Sequence, residues 1–287
     1  MDALTVNLSK TDVWRTSRFL LKLDRPLVMG IVNATPDSFS DGGYHSTATD
    51  TLCHCDQLLR DGADILDIGG ESTRPGSTPV SLEEELIRVM PVVRAAVQLG
   101  VPLSIDTYKP QVMQAALDAG ADIVNDIWAL RRPGAHQVVA GHPSCGVCLM
   151  HMHGHPATMQ VLPMEGDAVP QVLSFLKHVA RQLQAMGVDK RRIVLDPGIG
   201  FGKTVEQNFA LLARQSKLSA LGFPLLAGWS RKSSLGVATG LAAEERLVPS
   251  VAAALLAVER GARVLRVHDV RETVQALAIW TAMEKQR

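Results

Sequence analysis

Aromatic residues are scarce in this chain of 287 residues, since phenylalanine, tyrosine and tryptophan together make up 4% of it. Hydrophobic residues nevertheless account for 46%, so we expect a core built from Leu, Val, Ile and Ala. Basic and acidic residues number 29 each and the formal net charge is zero. This balance argues against a broad surface for nucleic acid or membranes and favours a small-molecule partner.

Long apolar runs are also missing. The longest aliphatic segment, Val251–Val258, is too short to span a bilayer. The N-terminal residues show no basic segment followed by an apolar one, as a secretory signal would. The sequence therefore predicts a soluble, cytoplasmic protein.

The four cysteines are too few and too locally clustered for a disulfide scaffold. Cys145 and Cys148 have C-x-x-C spacing, but they lead directly into an apolar strand pattern. We expect a buried structural pair rather than a redox or zinc site.

Eight short apolar runs recur along the chain, and helical patterns fill the gaps between them. The runs begin at Leu27, Ala63, Val101, Ala121, Gly146, Arg192, Phe223 and Ala262. Their nearly continuous apolar character is typical of parallel strands that are covered on both faces. The pattern predicts a (β/α)8 TIM barrel over residues 25–287, with an N-terminal extension, residues 1–24, covering the barrel floor. A doubly wound sheet is the alternative.

The clearest helix begins at Ser81, which forms a capping-box pattern with Glu84, and ends at Gly100. Further helices are expected at Thr49–Asp61, Pro110–Ala119, Pro170–Met186, Glu206–Leu221, from Ser233, Val248–Arg260 and Val270–Met283.

Polar residues stand at the ends of almost every predicted strand: Asn33, Asp67, Asp106, Asn125, His151, Asp196, Ser230 and His268. In a barrel these ends meet on one face, where the active site lies. Asp106, Asn125 and Asp196 offer acceptors and an amide suited to the flat edge of a heterocycle. Helix capping is the alternative explanation for each one taken singly.

The stretch Ile193–Thr204 combines a strand, Asp196 and a glycine-rich loop. Gly202, Lys203 and Thr204 match the end of a phosphate-binding P-loop. The position where that motif begins with glycine is Pro197, which lacks a backbone donor. We therefore do not expect nucleotide binding here.

Two other loops and two strand ends suggest a substrate site. The loops Thr35–Gly43 and Glu71–Ser77 carry Phe39 and Arg74 among turn residues, which is typical of lids over a substrate. Lys232 and Ser233 stand at a strand-to-helix junction suited to an anion. Arg266 and His268 share one side of the last strand and form a candidate anion clamp.

Three alternating histidines, His151, His153 and His155, raise a second hypothesis. Strand alternation would place the first two on one side, as in a zinc-dependent hydrolase. We favour ordinary hydrogen-bonding histidines, because the other strand ends add only His268.

The chain resembles the dihydropteroate synthase family, in order from about Val28 to Val270, through MGIVNATPDSFSDGG, DIGGESTRPGS, SIDTYKP, NDI, LMHMHGHPATMQ, DPGIGFGKT, GWSRKSSLG and RVHDV. The resemblance implies a magnesium-dependent barrel enzyme of folate biosynthesis. Such enzymes join 6-hydroxymethyl-7,8-dihydropterin pyrophosphate to p-aminobenzoate, releasing pyrophosphate and 7,8-dihydropteroate. It also implies a homodimer formed through late helices, and competition by sulfonamides.

The resemblance assigns roles residue by residue. It implies a pterin site of Asp106, Asn125, Asp196, Lys232, Met150 and Phe201, with Asp67 nearby. Pyrophosphate and Mg²⁺ would be held by Asn33, Arg266 and His268, with Asn33 as the metal ligand. The p-aminobenzoate pocket would consist of Phe39, Thr73, Arg74, Pro75 and Ser233. The expected catalytic residues are Asp37, Lys232 and Asp106. Trp128 and Trp229 stand where smaller residues are expected.

Two rival functions stay open on the sequence alone. A pterin-binding corrinoid methyltransferase domain would share the Asp, Asn and Asp site but has no need of a pyrophosphate clamp. A catalytically silent pterin-binding paralogue would be a scaffold, which the presence of Asp37, Phe39, Arg74 and Lys232 argues against.

Overall fold

A computed structural model describes residues 13–34, 44–72, 77–155, 159 and 161–286, with backbone only at 44–48. A short antiparallel hairpin comes first, formed by β1 (Val13–Arg15) and β2 (Leu20–Lys22). Eight parallel strands follow: β3 (Leu27–Asn33), β4 (Ile65–Gly69), β5 (Leu103–Asp106), β6 (Ile123–Asp126), β7 (Gly146–Met150), β8 (Ile193–Asp196), β9 (Leu225–Ala227) and β10 (Ala262–Val267). Their order is sequential, and β10 pairs with β3 to close a barrel. The predicted barrel is confirmed, and the doubly wound alternative is wrong because its sheet would be open.

The helices surround the barrel: α1 (Tyr44–Arg60), α2 (Leu82–Ala96), α3 (Pro110–Asp118), α4 (Ala135–Gly141), α5 (Ala168–Ala185), α6 (Val205–Ala213), α7 (Ser216–Ser219), α8 (Ser233–Thr239), α9 (Leu247–Glu259) and α10 (Val270–Glu284). Single 3₁₀ turns lie at Val97–Leu99, Lys190–Arg192 and Ala243–Glu245. No helix in the described part of the chain is long and apolar enough to cross a bilayer.

Local signals placed several helix ends correctly. The Ser81 side chain accepts a hydrogen bond from the Glu84 N–H at 3.1 Å, so α2 begins where the capping pattern predicted. The helical segment ends at Gly100, which adopts the left-handed conformation with φ of 71°. Helix α4 was not predicted, since it has only seven residues and little periodicity.

The core is arranged in two layers. The larger layer lies between strands and helices and is made mostly of Leu, Val, Ile and Ala, as the composition predicted. The smaller one includes Trp14 from β1 together with Met29, Ile65, Ile123 and Val264 from barrel strands. Trp14 is fully buried, so part of the predicted N-terminal extension packs at the floor. The division into residues 1–24 and 25–287 stays a prediction.

Candidate active site at the barrel mouth

Four side chains at or near strand ends form one polar network, in which Asp67 and Asn125 are buried while Asp106 and Arg266 are partly exposed. The Arg266 guanidinium donates from Nε to Asp67 Oδ2 and from Nη2 to Asp106 Oδ2, each at 2.6 Å. Asn125 Nδ2 donates to the same Asp67 oxygen at 3.2 Å. The parallel register explains this proximity. Asp106 on β5 is the register partner of Asn125 on β6, and β5 also pairs with β4, which carries Asp67. Arg266, predicted for pyrophosphate, is therefore joined to two predicted pterin residues, to Asp106 directly and to Asn125 through Asp67.

Burial shifts the acid–base properties of this network. The pKa of Asp106 rises to about 7, first because burial disfavours its charged form; the Arg266 charge opposes this and the Asp67 charge adds to it. Burial alone would lower the pKa of Arg266, but the two carboxylates more than offset it and the pKa is raised. The guanidinium therefore stays charged, whereas the pKa of Asp106 lies near neutral pH.

Asp196 ends β8 and is also buried. Burial raises its pKa, while the Gly198 N–H, bonded to Oδ1 at 2.7 Å, and the charges of Lys232, Lys203 and Arg266 lower it. Its register partner on β7 is Met150. The Asp196 carboxylate therefore lies beside the apolar side chain of Met150. This arrangement suits a planar heterocycle, which has polar edges and apolar faces.

An apolar slot lies next to these polar groups. Met150 and Phe201 belong to one buried cluster with Ile127, Met152 and Met159. The Lys232 ammonium lies 4.4 Å from the centroid of the Phe201 ring. The predicted pterin residues are thus divided between a polar edge and an apolar wall.

The predicted anion clamp is only partly separate from the pterin residues. Arg266 is bonded to Asp67 and Asp106, whereas His268 lies just beyond β10 with Nδ1 2.9 Å from Ser230 Oγ. The Ser230 hydroxyl also accepts from the His268 backbone N–H at 3.1 Å. The sequence did not indicate that Arg266 would bridge two carboxylates.

The remaining predicted ligands lie around the mouth or outside the described residues. Asn33 is exposed at the end of β3, and Ser233 is the exposed first residue of α8. The expected site residues Asp37, Phe39, Thr73, Arg74 and Pro75 fall outside the described part of the chain.

The zinc hypothesis depended on His151 and His153 sharing one side of a strand, and this expectation is wrong. Strand β7 ends at Met150, so the alternation does not continue. His151 is buried with its ring 5.0 Å from that of Phe175, whereas His153 is exposed. Burial, with the charges of Lys203 and Arg131, lowers the pKa of His151 to about 2. Within the described ranges, no group of three or more His, Cys, Asp or Glu residues is placed to hold a metal.

The two C-x-x-C cysteines are both buried, as predicted, but they do not form a pair. Cys145 belongs to the layer between strands and helices, and its sulfur lies 3.1 Å from Arg192 Nη2. Cys148 belongs to the barrel interior. Cys145 immediately precedes β7 and Cys148 lies within it, and the two thiols belong to different layers of the core.

Only one of the two unexpected tryptophans borders the slot. Trp128 packs against its apolar cluster and is flanked by Arg131 and Arg132, whose guanidinium carbons lie 5.0 and 4.9 Å from the ring. Trp229 is buried in the outer layer with its ring 5.5 Å from that of Phe209.

One ion cluster beside the mouth was not predicted from the sequence. The Lys109 ammonium contacts both Glu71, at 2.5 Å, and Glu85, which is buried on α2. Tyr108 donates to the second Glu71 oxygen at 2.9 Å. This cluster fixes the first residue of the predicted Glu71–Ser77 loop, and such long-range ion pairs leave no local pattern.

A family model described as pterin binding enzyme matches residues 29–268, which include every strand-end residue of the network. The chain belongs to this family. A relative named dihydropteroate synthase, from Neisseria meningitidis serogroup B, is 51% identical over 277 residues, which cover 94% of this chain and 97% of the relative. The resemblance stated from the motifs is thereby confirmed.

Solved structures of family members have the same fold. Burkholderia cenocepacia dihydropteroate synthase, complexed with 7,8-dihydropteroate, is 49% identical with a TM-score of 0.87, over 96% of this chain and 98% of that one. Yersinia pestis dihydropteroate synthase, with a sulfonamide drug complex, is 45% identical with a TM-score of 0.89, over 95% of this chain and 99% of that one.

Proposed function

We infer that this chain is a dihydropteroate synthase, a transferase of folate biosynthesis that joins a dihydropterin pyrophosphate to p-aminobenzoate. The observation that carries the inference is the convergence of Asp106 and Asn125 in one polar network, with Asp196 beside the Met150 and Phe201 slot. The high identity to named synthases over nearly the whole chain supports the same conclusion.

The polar edge suits the pterin ring. The carboxylates of Asp106 and Asp196 accept hydrogen bonds from ring N–H groups, and burial strengthens each such bond. Because Asn125 Nδ2 already donates to Asp67, its Oδ1 is left to accept from the ligand. The wall of Met150 and Phe201 contacts the ring face, and Lys232 lies over Phe201.

The chemical step breaks the bond between the pterin methylene carbon and the pyrophosphate oxygen. Arg266 and His268 are proposed to bind the leaving pyrophosphate, whose charge grows as the bond breaks. The p-aminobenzoate nitrogen then attacks the methylene carbon and loses its proton. Asp37, outside the described residues, is proposed to stabilise the positive charge on the pterin during this step.

Magnesium is proposed as the metal, with Asn33 as its protein ligand. An amide oxygen fits a hard cation, and Mg²⁺ takes most of its other ligands from substrate phosphates and water. Such an ion would neutralise charge on the pyrophosphate. The exposed position of Asn33 at the end of β3 is compatible with a site of this kind.

The p-aminobenzoate pocket is proposed to involve Ser233 with Phe39, Thr73, Arg74 and Pro75. Sulfonamides are proposed to compete there, since a sulfonamide drug complex is described for the Yersinia pestis enzyme. Cytoplasmic location agrees with a folate-synthesis enzyme and stays a proposal.

A homodimer is proposed through the late helices. Large apolar side chains stay exposed on α8, α9 and α10: Val237, Val248, Leu256, Ile279 and Met283. Helices α8 and α10 both contact α9, and contiguous exposed apolar surface is typical of an interface. Sedimentation analysis tests this proposal, and a monomer at micromolar concentration would contradict it.

Pyrophosphate release, measured with and without p-aminobenzoate, tests the proposed function. A synthase releases pyrophosphate in proportion to added p-aminobenzoate and requires magnesium, so a chelator stops turnover. Binding of pterin without any turnover would support the silent paralogue instead. Methyl transfer from a methylated pterin to a corrinoid would support the methyltransferase.

A further inference from the structure

Lys203, which belongs to the segment that matches the end of a P-loop motif, is buried with 3% of its surface exposed. Its ammonium donates to the carbonyl oxygens of Gly198 at 2.7 Å, Phe201 at 3.0 Å and His151 at 3.3 Å. An ammonium has three N–H donors, so all of them are used. Lys203 therefore has no donor left for a phosphate or a substrate.

The three carbonyls belong to two different segments. Gly198 and Phe201 lie in the glycine-rich loop after β8, whereas His151 directly follows β7. The two backbones lie so close that neither glycine has room for a side chain. A Cβ added to Gly198 would lie 1.9 Å from the His151 carbonyl oxygen, and one added to Gly202 would lie 2.3 Å from the His153 carbonyl oxygen. The Lys203 ammonium therefore connects the glycine-rich loop to the segment after β7 by hydrogen bonds to both.

The same loop carries two parts of the pterin site. The Gly198 N–H donates to Asp196 Oδ1 at 2.7 Å, which orients the carboxylate. Phe201 supplies the wall of the slot, and its carbonyl also accepts from the His153 N–H at 3.4 Å. A shift of the loop would move the acceptor and the wall together.

We propose that Lys203 is a positioning residue, whose ammonium holds the loop 198–202 against residues 151–153 and so sets Asp196 and Phe201 for the pterin ring. The proposal rests on the proposed function, because it assigns the slot to a pterin. It makes Lys203 an internal scaffold in place of the phosphate ligand that its motif suggests.

The electrostatics show that this position is costly for a charged ammonium. Burial is the first cause that lowers the pKa of Lys203, to about 7, with Asp196 opposing the shift and Lys232 adding to it. Among the described residues, the bonded partners of its ammonium are carbonyls and include no carboxylate. A buried ammonium held in this way is costly compared with an apolar side chain of similar length. We therefore expect Lys203→Met to fold and to lose the tie between the segments.

The experiment compares the full-length wild type with Lys203→Met, Lys203→Arg and the control Lys177→Met, an exposed lysine on α5. Binding of a pterin without pyrophosphate is measured by calorimetry, and turnover is measured at saturating pterin substrate with varied p-aminobenzoate. Thermal unfolding of each variant is recorded as well.

For Lys203→Met we expect pterin affinity to fall about tenfold or more, corresponding to the loss of a charged hydrogen bond that orders the site. The KM for p-aminobenzoate should stay within about twofold of the wild type, because the hydrogen bonds of the Lys203 ammonium go to Gly198, Phe201 and His151, which are assigned to the pterin side of the site. Lys203→Arg should recover part of the affinity, and Lys177→Met should match the wild type.

Native pterin affinity in a folded Lys203→Met variant would overturn the proposal. Equal losses for pterin and p-aminobenzoate, in step with a lower melting temperature, would also overturn it, since they mark a general structural role. If Lys203→Met does not fold, Lys203→Leu, which also removes every donor, is tested by the same criteria. A wild type that binds no pterin would instead refute the proposed function.

Discussion

At the scale of single residues, Arg266 and Asp67 connect groups that the sequence assigned to separate ligands. Asp67 Oδ2 accepts from both Arg266 and Asn125, whereas Asp67 Oδ1 is buried without a hydrogen-bond partner among the described residues. A network in a buried site couples its members, so replacing one of them affects the others.

Arg266→Ala should therefore weaken binding of a pterin with or without pyrophosphate. As part of a simple pyrophosphate clamp Arg266 would not affect a bare pterin, but it also pairs with the carboxylates of Asp67 and Asp106. Removing one partner of a buried ion pair costs about 3–5 kcal/mol of folding stability, and the partial exposure of Arg266 favours the lower value. Calorimetry with both ligands checks this, with Arg214→Ala as the control, because Arg214 also pairs with a carboxylate, that of Asp167 at 2.7 Å, and has no proposed role in the site. An unchanged affinity for bare pterin would restore the simple pyrophosphate clamp.

Asp196→Asn should weaken pterin binding while leaving the fold intact. The amide oxygen can still accept from the Gly198 N–H, but the second oxygen becomes a donor that faces a ring N–H. A charge-assisted hydrogen bond is worth about 1.5–3 kcal/mol, so affinity should drop by roughly ten- to a hundredfold. Titration of the folded variant gives the answer; wild-type affinity would remove Asp196 from the site.

At the scale of elements, the turn between β6 and α4 is held by one carboxylate. Ala129 and Leu130 have positive φ values of 50° and 63°, which is unfavourable for residues with a Cβ. Asp126 accepts from the Trp128 N–H at 2.8 Å and from the Leu130 N–H at 2.7 Å, and so stabilises this conformation. The turn places Trp128 against the apolar slot.

The pH dependence of stability should reveal Asp126. Burial raises its pKa to about 7, above the ordinary value near 3.8, although its two backbone donors oppose the shift. The folded state then binds more protons than the unfolded state between pH 4 and 7, so this group's contribution falls as the pH rises through that window. In the wild type, Asp126 should lower the free energy of unfolding by more than about 1 kcal/mol as the pH rises through this window, since each pKa unit corresponds to ~1.4 kcal/mol. In Asp126→Asn this pH-dependent decrease should be absent.

Denaturant unfolding at several pH values measures this difference. Asp118, on the surface at the end of α3, serves as the control through Asp118→Asn. Parallel pH profiles for the wild type and Asp126→Asn would contradict the assignment of the shift to Asp126.

At the scale of the whole molecule, the barrel floor is closed by a side chain from outside the eight-strand repeat. Trp14 is fully buried among residues of the barrel interior, and its Nε1 donates to the Arg192 carbonyl at 3.0 Å. The candidate active site lies at the opposite end of the strands. Stability and catalysis are thus separated along the barrel axis.

Trp14→Ala should therefore lower the free energy of unfolding by about 3–5 kcal/mol, as is usual for a large buried aromatic side chain. The kcat measured well below the melting temperature should stay near that of the wild type. Leu20→Ala, at an exposed position of the same hairpin, is the control and should change stability little. A small loss for Trp14→Ala would show that the hairpin does not stabilise the floor.

The sequence by itself determined the strand order, most helix ends and the strand-end residues Asp106, Asn125 and Asp196. It could do so because apolar runs, capping residues and glycines act over a few neighbouring positions, and parallel strands bring their ends to one face.

Only the tertiary structure decided which charges are paired and which donors are used. It joined Arg266 to Asp67 and Asp106, directed the Lys203 ammonium onto carbonyls, and separated His151 from His153. These outcomes depend on contacts between residues far apart in the chain and on burial, which sets both hydrogen-bond partners and pKa values. Barrel closure creates that burial, and no local pattern of residues encodes it.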